Sequence, residues 1–394
     1  MSIYLDNNGT TAVLPEVLAE MLPCFSGVVG NASSLHAGGR QSLGVLKVAR
    51  ARVAALLGCQ AAEIVFTSGG TEGDNLALAG MVNPGDHIIT SANEHSAVQR
   101  TCAWLERHGC EVTRVGVDGQ GQVDPDDVRR ALQPATRLIS IMMANNETGV
   151  LQPVREIGAI AAAADVWFHT DAVQAAGKVP ISVDALGCDL LTLTAHKMHG
   201  PQGTGALFVR RGTPLRPLFH GGHQEKGRRP GTENVAGIAG FGKACAIAVE
   251  GLADGSVSRM EALRARLEAE VLDSIPETGV NGRGAPRVPN TANLFFDGVS
   301  GDSLVVALDH LGIAASRGAA CNAGESEPSG VLMAMGLSGE RSRSSVRFSL
   351  SKLTTEAEID RVIEVLPETV RRLRAAHSFF DPALTIADGE ARRA

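Results

Sequence analysis

The sequence predicts an α/β protein, with a mostly parallel central sheet flanked by helices and a smaller α+β domain following it. Three observations predict this. Between about residues 60 and 210, short apolar runs of strand length alternate with helical patterns, as expected of a parallel sheet covered on both faces. The cluster Ala253-Asp254-Gly255-Ser256 then marks a boundary, after which strands and helices alternate over a shorter span. Finally, the 394 residues are 44% apolar, enough to bury a large core in two or three structural units.

The first 58 residues carry helical patterns over 14–24 and 39–57, with Gly58 a plausible stop, and are expected to pack at the edge of the sheet unit. Strands follow over 63–67, 87–90, 138–143, 166–170, 190–194 and 205–210, and a helix is expected to start near Glu72. A long helix over 236–252 leads to the boundary, and an amphipathic helix over 260–275 lies beyond it. Strands at 290–296 and 344–350 precede a final helix opened by Thr355-Glu356-Ala357-Glu358, whose Thr and Glu fit a capping box. The domain reading is a large unit over 15–255, a small one built from 1–14 and 256–376, and a loosely held tail over 377–394.

The formal net charge of −7 argues against a nucleic-acid partner, which requires a basic surface. Nothing at the N-terminus reads as a signal peptide and no apolar stretch approaches membrane-spanning length, so a cytoplasmic location is expected. Seven cysteines, at 24, 59, 102, 110, 188, 245 and 321, show neither metal-ligand spacing nor a disulfide framework. Cys321 stands apart, in a polar, glycine-bearing loop over 316–329. A thiol there, near Arg317, can be partly ionised, while Glu325 and Glu327 oppose ionisation.

Two charges end predicted buried strands. Asp171 follows the apolar run Asp165-Val166-Trp167-Phe168 at the end of the strand over 166–170, and Lys197 follows Leu190-Leu191-Thr192-Leu193. A lone lysine is usually a solvated surface charge, but ligands in open α/β sheets gather at the carboxyl ends of strands. An acid to keep a pyridine nitrogen protonated and a lysine to form a Schiff base are what a pyridoxal-phosphate site needs. Ser68-Gly69-Gly70-Thr71 at a strand-to-helix junction reads either as a phosphate site or as a plain turn. The stretch from Gly221 to Thr232 is a second candidate or a solvated basic loop. His95 reads as a ring-stacking, proton-moving group or as an ordinary hydrogen-bonded histidine, and Asn145-Asn146-Glu147-Thr148-Gly149 as site or turn. His196 and His199 have metal-ligand types but no third ligand at usable spacing, so no metal is expected. Thr71, His95, Asn146, Asp171 and Gln174 thus share one predicted rim with Lys197.

These residues, with Tyr4-Leu5-Asp6-Asn7-Asn8, Asn31-Ala32-Ser33-Ser34-Leu35-His36, Arg229-Pro230-Gly231-Thr232-Glu233-Asn234 and Arg347-Phe348-Ser349-Leu350, resemble the cysteine desulfurases of the nitrogen-fixation and iron–sulfur type, from about residue 3 to 375. Gly221-Gly222-His223-Gln224-Glu225 is closer to the nitrogen-fixation branch. The resemblance implies an aminotransferase-like, fold-type I pyridoxal 5'-phosphate homodimer that converts L-cysteine to L-alanine and passes the sulfur to an iron–sulfur scaffold or other acceptor protein. It assigns the cofactor's covalent link to Lys197, the pyridine nitrogen to Asp171, the phenolic oxygen to Gln174 and ring stacking to His95. Phosphate binding falls to Gly70, Thr71, Thr194 and His196, with Thr232 supplied by the other subunit. Asn146 and Arg347 would hold the substrate carboxylate, which suits the arginine fork, and Cys321 would accept the sulfur. Around that cysteine the family's common Ser-Ser-Gly-Ser-Ala-Cys-Thr is replaced by Ser316-Arg317-Gly318-Ala319-Ala320-Cys321-Asn322, and Asn-Pro-Ser-Ser by Asn31-Ala32-Ser33-Ser34. A mobile loop over 316–329, hinged on Gly318 and Gly324, is expected to carry the sulfur outward. The rival readings are a selenocysteine lyase, another pyridoxal-phosphate lyase or aminotransferase, and a non-catalytic assembly protein on the same fold.

Overall fold

A computed structural model of the chain describes residues 2–318 and 327–380; Cys321, most of the loop predicted over 316–329, and the tail from 381 lie outside the described residues. The strands are β1 Ile3–Tyr4, β2 Ile64–Thr67, β3 His87–Ser91, β4 Glu111–Val115, β5 Thr136–Ser140, β6 Trp167–Asp171, β7 Leu190–Thr194, β8 Gly205–Val209, β9 Thr278–Val280, β10 Thr291–Phe296, β11 Ile313–Ala314 and β12 Ser345–Ser349. The large sheet has the order β2-β8-β7-β6-β5-β3-β4. The run from β7 to β4 is parallel, and β8 is antiparallel to both its neighbours.

Strands such as β2 and β7 are buried at every position because helices cover both faces, which is why they read as continuous apolar runs. Alternate residues serve different layers. Ile64, Phe66, Leu191, Leu193 and Phe208 face a core shared with helices Ala37–Leu57 and Val235–Gly251. Val65, Leu190, Leu207 and Val209 face helices Gly70–Met81 and Ser96–Arg107. Each fully buried Leu, Ile or Phe side chain contributes roughly 1.5–3 kcal/mol. Helix Ala37–Leu57 therefore lies over a face of the sheet, not only beside its edge. Its approach to Val235–Gly251 depends on Gly242, where a Cβ would sit 2.5 Å from the Ala49 Cα.

The small domain has the antiparallel order β12-β10-β9. Its core joins Leu294, Phe296, Val346 and Phe348 to Leu267, Leu304, Ile359 and Val362 from the surrounding helices. The capping box forms: the Thr355 amide donates to Glu358 Oε2 at 2.8 Å and the Glu358 amide to Thr355 Oγ1 at 3.3 Å. That helix continues to Phe380, into the segment read as tail. The N-terminal segment belongs to both units. Tyr4 and Ile3 pair with β11, whereas the Thr11 amide donates to the His196 carbonyl at 2.9 Å.

Several elements differ from the sequence reading. Strand β4 was not anticipated, since Glu111 and Arg114 make it a half-exposed edge with charges rather than an apolar run. The short strands β1, β9 and β11 span too few residues for a periodic signal. Strand β5 ends at Ser140, earlier than expected, while Ile141 and Met143 still donate to β6 carbonyls beyond the regular ladder. Helix Gly70–Met81 begins ahead of Glu72.

Candidate active site

Strands β6 and β7 are adjacent and parallel, and Asp171 stands opposite Thr192. Asp171 is the last residue of β6, and Lys197 ends a single 3₁₀ turn, Ala195–Lys197, directly after β7. Both line a cleft of about 600 Å³ together with Gly70, Thr71, His95, Asn146, Gln174, Thr194, His196 and Arg347. That volume is in the range of small-molecule sites. Thr232 is not among the lining residues. It borders a separate hollow with Ser68, Arg229 and Asn234, so it reaches a cleft of this kind only if another copy supplies it.

Lys197 Nζ donates to the backbone carbonyls of Asn8 and Gly9, the latter at 2.6 Å. Asp171 is buried and accepts from the Val173 amide at 2.8 Å; burial pushes its acidity weaker, and the nearby Lys197 charge pulls the other way. His95 caps helix Ser96–Arg107, its Nδ1 accepting from the Ala97 amide at 3.2 Å. Burial holds the ring below the usual histidine pKa, so the imidazole is neutral and its Nε2 carries the proton. His196 pairs with Thr10 Oγ1 at 3.1 Å and is pulled down to about 4 by burial and by Lys197. His199 instead bonds the Ala12 carbonyl at 2.9 Å. No group of three metal-ligating side chains occurs among the described residues.

Arg347 reaches the cleft from β12. Its Nη1 donates to the Asn146 carbonyl at 2.9 Å and its Nη2 to Asp6 Oδ1 at 2.6 Å. Four buried polar atoms of cleft residues have no hydrogen-bond partner among the described residues: Arg347 Nε, Asn146 Oδ1, Asp74 Oδ1 and Glu94 Oε2. Leaving such atoms unpaired is costly, so their convergence on one cleft fits a polar ligand. Helix Gly70–Met81 also begins at the cleft without a side-chain cap, leaving first-turn amides for an anion. The donor set therefore suits pyridoxal phosphate: an anion cradle, a buried acid and a lysine.

Five contributors were not singled out from sequence. The carbonyls of Asn8 and Gly9 carry no side-chain signature, and Asp6 and Thr10 sit in the same polar turn; the motif through Asn8 was the only pointer. Glu94 is the fifth. Its Oε1 accepts from Ser91 Oγ at 2.7 Å and the Met142 amide at 2.8 Å, yet burial pushes its pKa up to about 8, with the Asp171 charge adding to the shift. A carboxyl raised on folding binds more protons folded than unfolded. Its stabilising contribution is present below its ordinary pKa and is lost as pH rises through about 8. We expect Glu94→Gln to raise the unfolding temperature of the cofactor-free protein by a few degrees at pH 8.5 and to leave it nearly unchanged at pH 5, checked by calorimetry at both.

At the cleft mouth, Gly318 lies against Glu147, and Ser329 Oγ donates to Glu147 Oε2 at 2.5 Å. Arg317 was expected to bear on the Cys321 thiol. Its guanidinium is engaged by Asp302 Oδ2 at 2.7 Å and by the Glu327 carbonyl at 3.1 Å.

A family model described as aminotransferase class-V matches residues 3–362. The chain belongs to the class-V aminotransferase family. Within it, the chain is 49% identical over 380 residues to a cysteine desulfurase of Trichormus azollae, covering 96% of this chain and 95% of that one. A solved structure titled a NifS-like protein matches with a TM-score of 0.88 at 36% identity, covering 95% of this chain and all of the other. Another, titled SspA in complex with cysteine, has a TM-score of 0.79 at 35% identity over 90% of this chain and all of its own. The α/β architecture and pyridoxal-phosphate dependence expected from sequence are those of this family.

Proposed function

We propose that this class-V aminotransferase is a cysteine desulfurase, converting L-cysteine to L-alanine and transferring the sulfur to Cys321. The observation that carries the reading is the assembly of Asp171, Lys197, His95 and Arg347 in one cleft of a chain nearly half identical to named cysteine desulfurases. When bound, pyridoxal phosphate supplies a ring that withdraws the electron pair left on the substrate's Cα. Lys197 would hold the cofactor covalently, and its amine would serve as the base for the substrate's Cα proton. Asp171, buried at the end of β6, would face the pyridine nitrogen and favour its protonated state. The first turn of Gly70–Met81, with Thr71, Thr194 and His196, would hold the phosphate, and Gln174 the phenolic oxygen. Arg347 and Asn146 orient the substrate carboxylate; Arg347 Nε is the open donor, and Asp6 keeps the guanidinium in place.

His95, neutral and with Nε2 protonated, exchanges protons with the substrate's thiol and Cys321. The Cys321 thiolate attacks the substrate sulfur. A new S–S bond forms, the Cβ–S bond breaks, and its electron pair returns to the substrate carbon skeleton, which is protonated to alanine. Cys321 lies three residues beyond Gly318, a residue of the cleft lining, which suits it to this step. The enzyme is read as a cytoplasmic homodimer, with Thr232 completing the partner's phosphate site. It hands its persulfide to an iron–sulfur scaffold or other acceptor protein, with nitrogenase assembly as one such destination.

The test is incubation of the purified protein with L-cysteine and a thiol reductant. Alanine and sulfide in equal amounts are expected; absence of alanine contradicts the proposal, and strong preference for L-selenocysteine replaces it with a selenocysteine lyase.

A further inference from the structure

Lys178 is a cation in an unusual place. It is buried, with 7% of its surface exposed, in a stretch of small and apolar residues, Ala175-Ala176-Gly177-Lys178-Val179-Pro180. Its ammonium donates to Gln174 Oε1 at 3.0 Å, four residues earlier in the chain. On the other side of the same amide, Gln174 Nε2 donates to the Asn8 carbonyl at 3.1 Å. This is the carbonyl that also receives Lys197 Nζ.

The two contacts settle which way the amide points. A carbonyl can only accept, so the nitrogen must face Asn8 and the oxygen faces Lys178, whose amine donates to it. A flipped amide would set its oxygen against the Asn8 carbonyl. With the Asn8 bond using one hydrogen of the NH2, the other is free for the cleft that Gln174 lines. We propose that Lys178 is a positioning residue for cofactor binding, fixing the Gln174 amide so that its NH2 donates to the phenolic oxygen of pyridoxal phosphate. The proposal rests on the reading of Gln174 given above.

Lys178 does not line the cleft itself; it acts through Gln174. Burial and the charges of Lys197 and Arg347 bring its pKa down to about 7, yet an amine in either protonation state still has hydrogens to give to Oε1. The role is therefore one of orientation rather than of net charge, and substitutions that keep a donor differ from those that remove it.

The test is a double-mutant cycle read by binding. Pyridoxal phosphate is titrated into cofactor-free wild type, Lys178→Met, Gln174→Ala and the double variant, following the visible absorption of the bound cofactor, with circular dichroism and unfolding temperature as folding controls. Lys178→Met is expected to weaken binding by about tenfold in the wild-type background and by less than about twofold once Gln174 is alanine, because the pair acts as one unit. Lys178→Arg, which retains a donor, is expected to bind within about threefold of wild type. It also serves as the comparison if the methionine variant fails to fold: an arginine variant that folds normally and binds as poorly as Gln174→Ala overturns the proposal. Equal losses from Lys178→Met in both backgrounds overturn it as well, since they mark a structural role independent of Gln174. If Gln174→Ala binds like wild type, the assignment of Gln174 fails and the role of Lys178 falls with it. Additive losses with a weakened Gln174→Ala variant leave that assignment standing and remove Lys178 alone.

Discussion

Lys197→Ala is expected to abolish alanine formation from L-cysteine, by about 10⁴-fold or more, and to remove the lysine-linked visible absorption of the cofactor. In the proposed mechanism two functions are lost together: the covalent hold on pyridoxal phosphate and the base for the Cα proton. The structure explains why no neighbour substitutes. Lys197 is placed by a turn at the end of β7 and by the carbonyls of Asn8 and Gly9, whereas Lys178 is occupied by Gln174 and lies outside the cleft. Reversed-phase quantification of alanine, beside the absorption spectrum, checks both halves. Substantial turnover by the alanine variant would place the base elsewhere.

Cys321→Ser is the second large effect, and it separates binding from sulfur chemistry. Sulfide release is expected to fall at least about 10³-fold, the scale on which loss of a catalytic nucleophile acts. Cofactor absorption should be unchanged, because Asp171, Lys197 and the phosphate cradle are untouched. A serine hydroxyl stays protonated at neutral pH and is a weak nucleophile toward sulfur, so the conservative change in size removes the required thiolate. A pyridoxal-phosphate lyase or aminotransferase that does not use persulfide chemistry would tolerate the substitution. The other cysteines offer no replacement among the described residues: none lines the cleft, and burial pushes up the thiols of Cys24, Cys59, Cys102, Cys110, Cys188 and Cys245, those of Cys59, Cys102 and Cys188 to about 12.

The central pair was legible because covered parallel strands write themselves as unbroken apolar runs, so a charge at the end of one is conspicuous. Asp171 and Lys197 both follow such runs. Arg347 gave no such signal from spacing: it meets the Asn146 carbonyl only because β12 of the second unit is brought against the first, a contact 201 residues apart in sequence. Lys178 was missed for the opposite reason. Alone in a sequence, a lysine four residues from a glutamine looks like a solvated helix charge, and only the packed segment shows it buried against an amide oxygen. Strand β4 was hidden by its own edge position, where charges replace the apolar alternation.

A single turnover of the wild-type enzyme with L-cysteine, in the absence of reductant, tests most directly that sulfur passes to the protein. Peptide mass measurement after alkylation should find one added sulfur atom on the peptide bearing Cys321, with one alanine formed for each sulfur bound. Alanine formed at the same rate in wild type and Cys321→Ser, with its sulfur recovered as sulfane sulfur elsewhere and none on Cys321, would contradict the account.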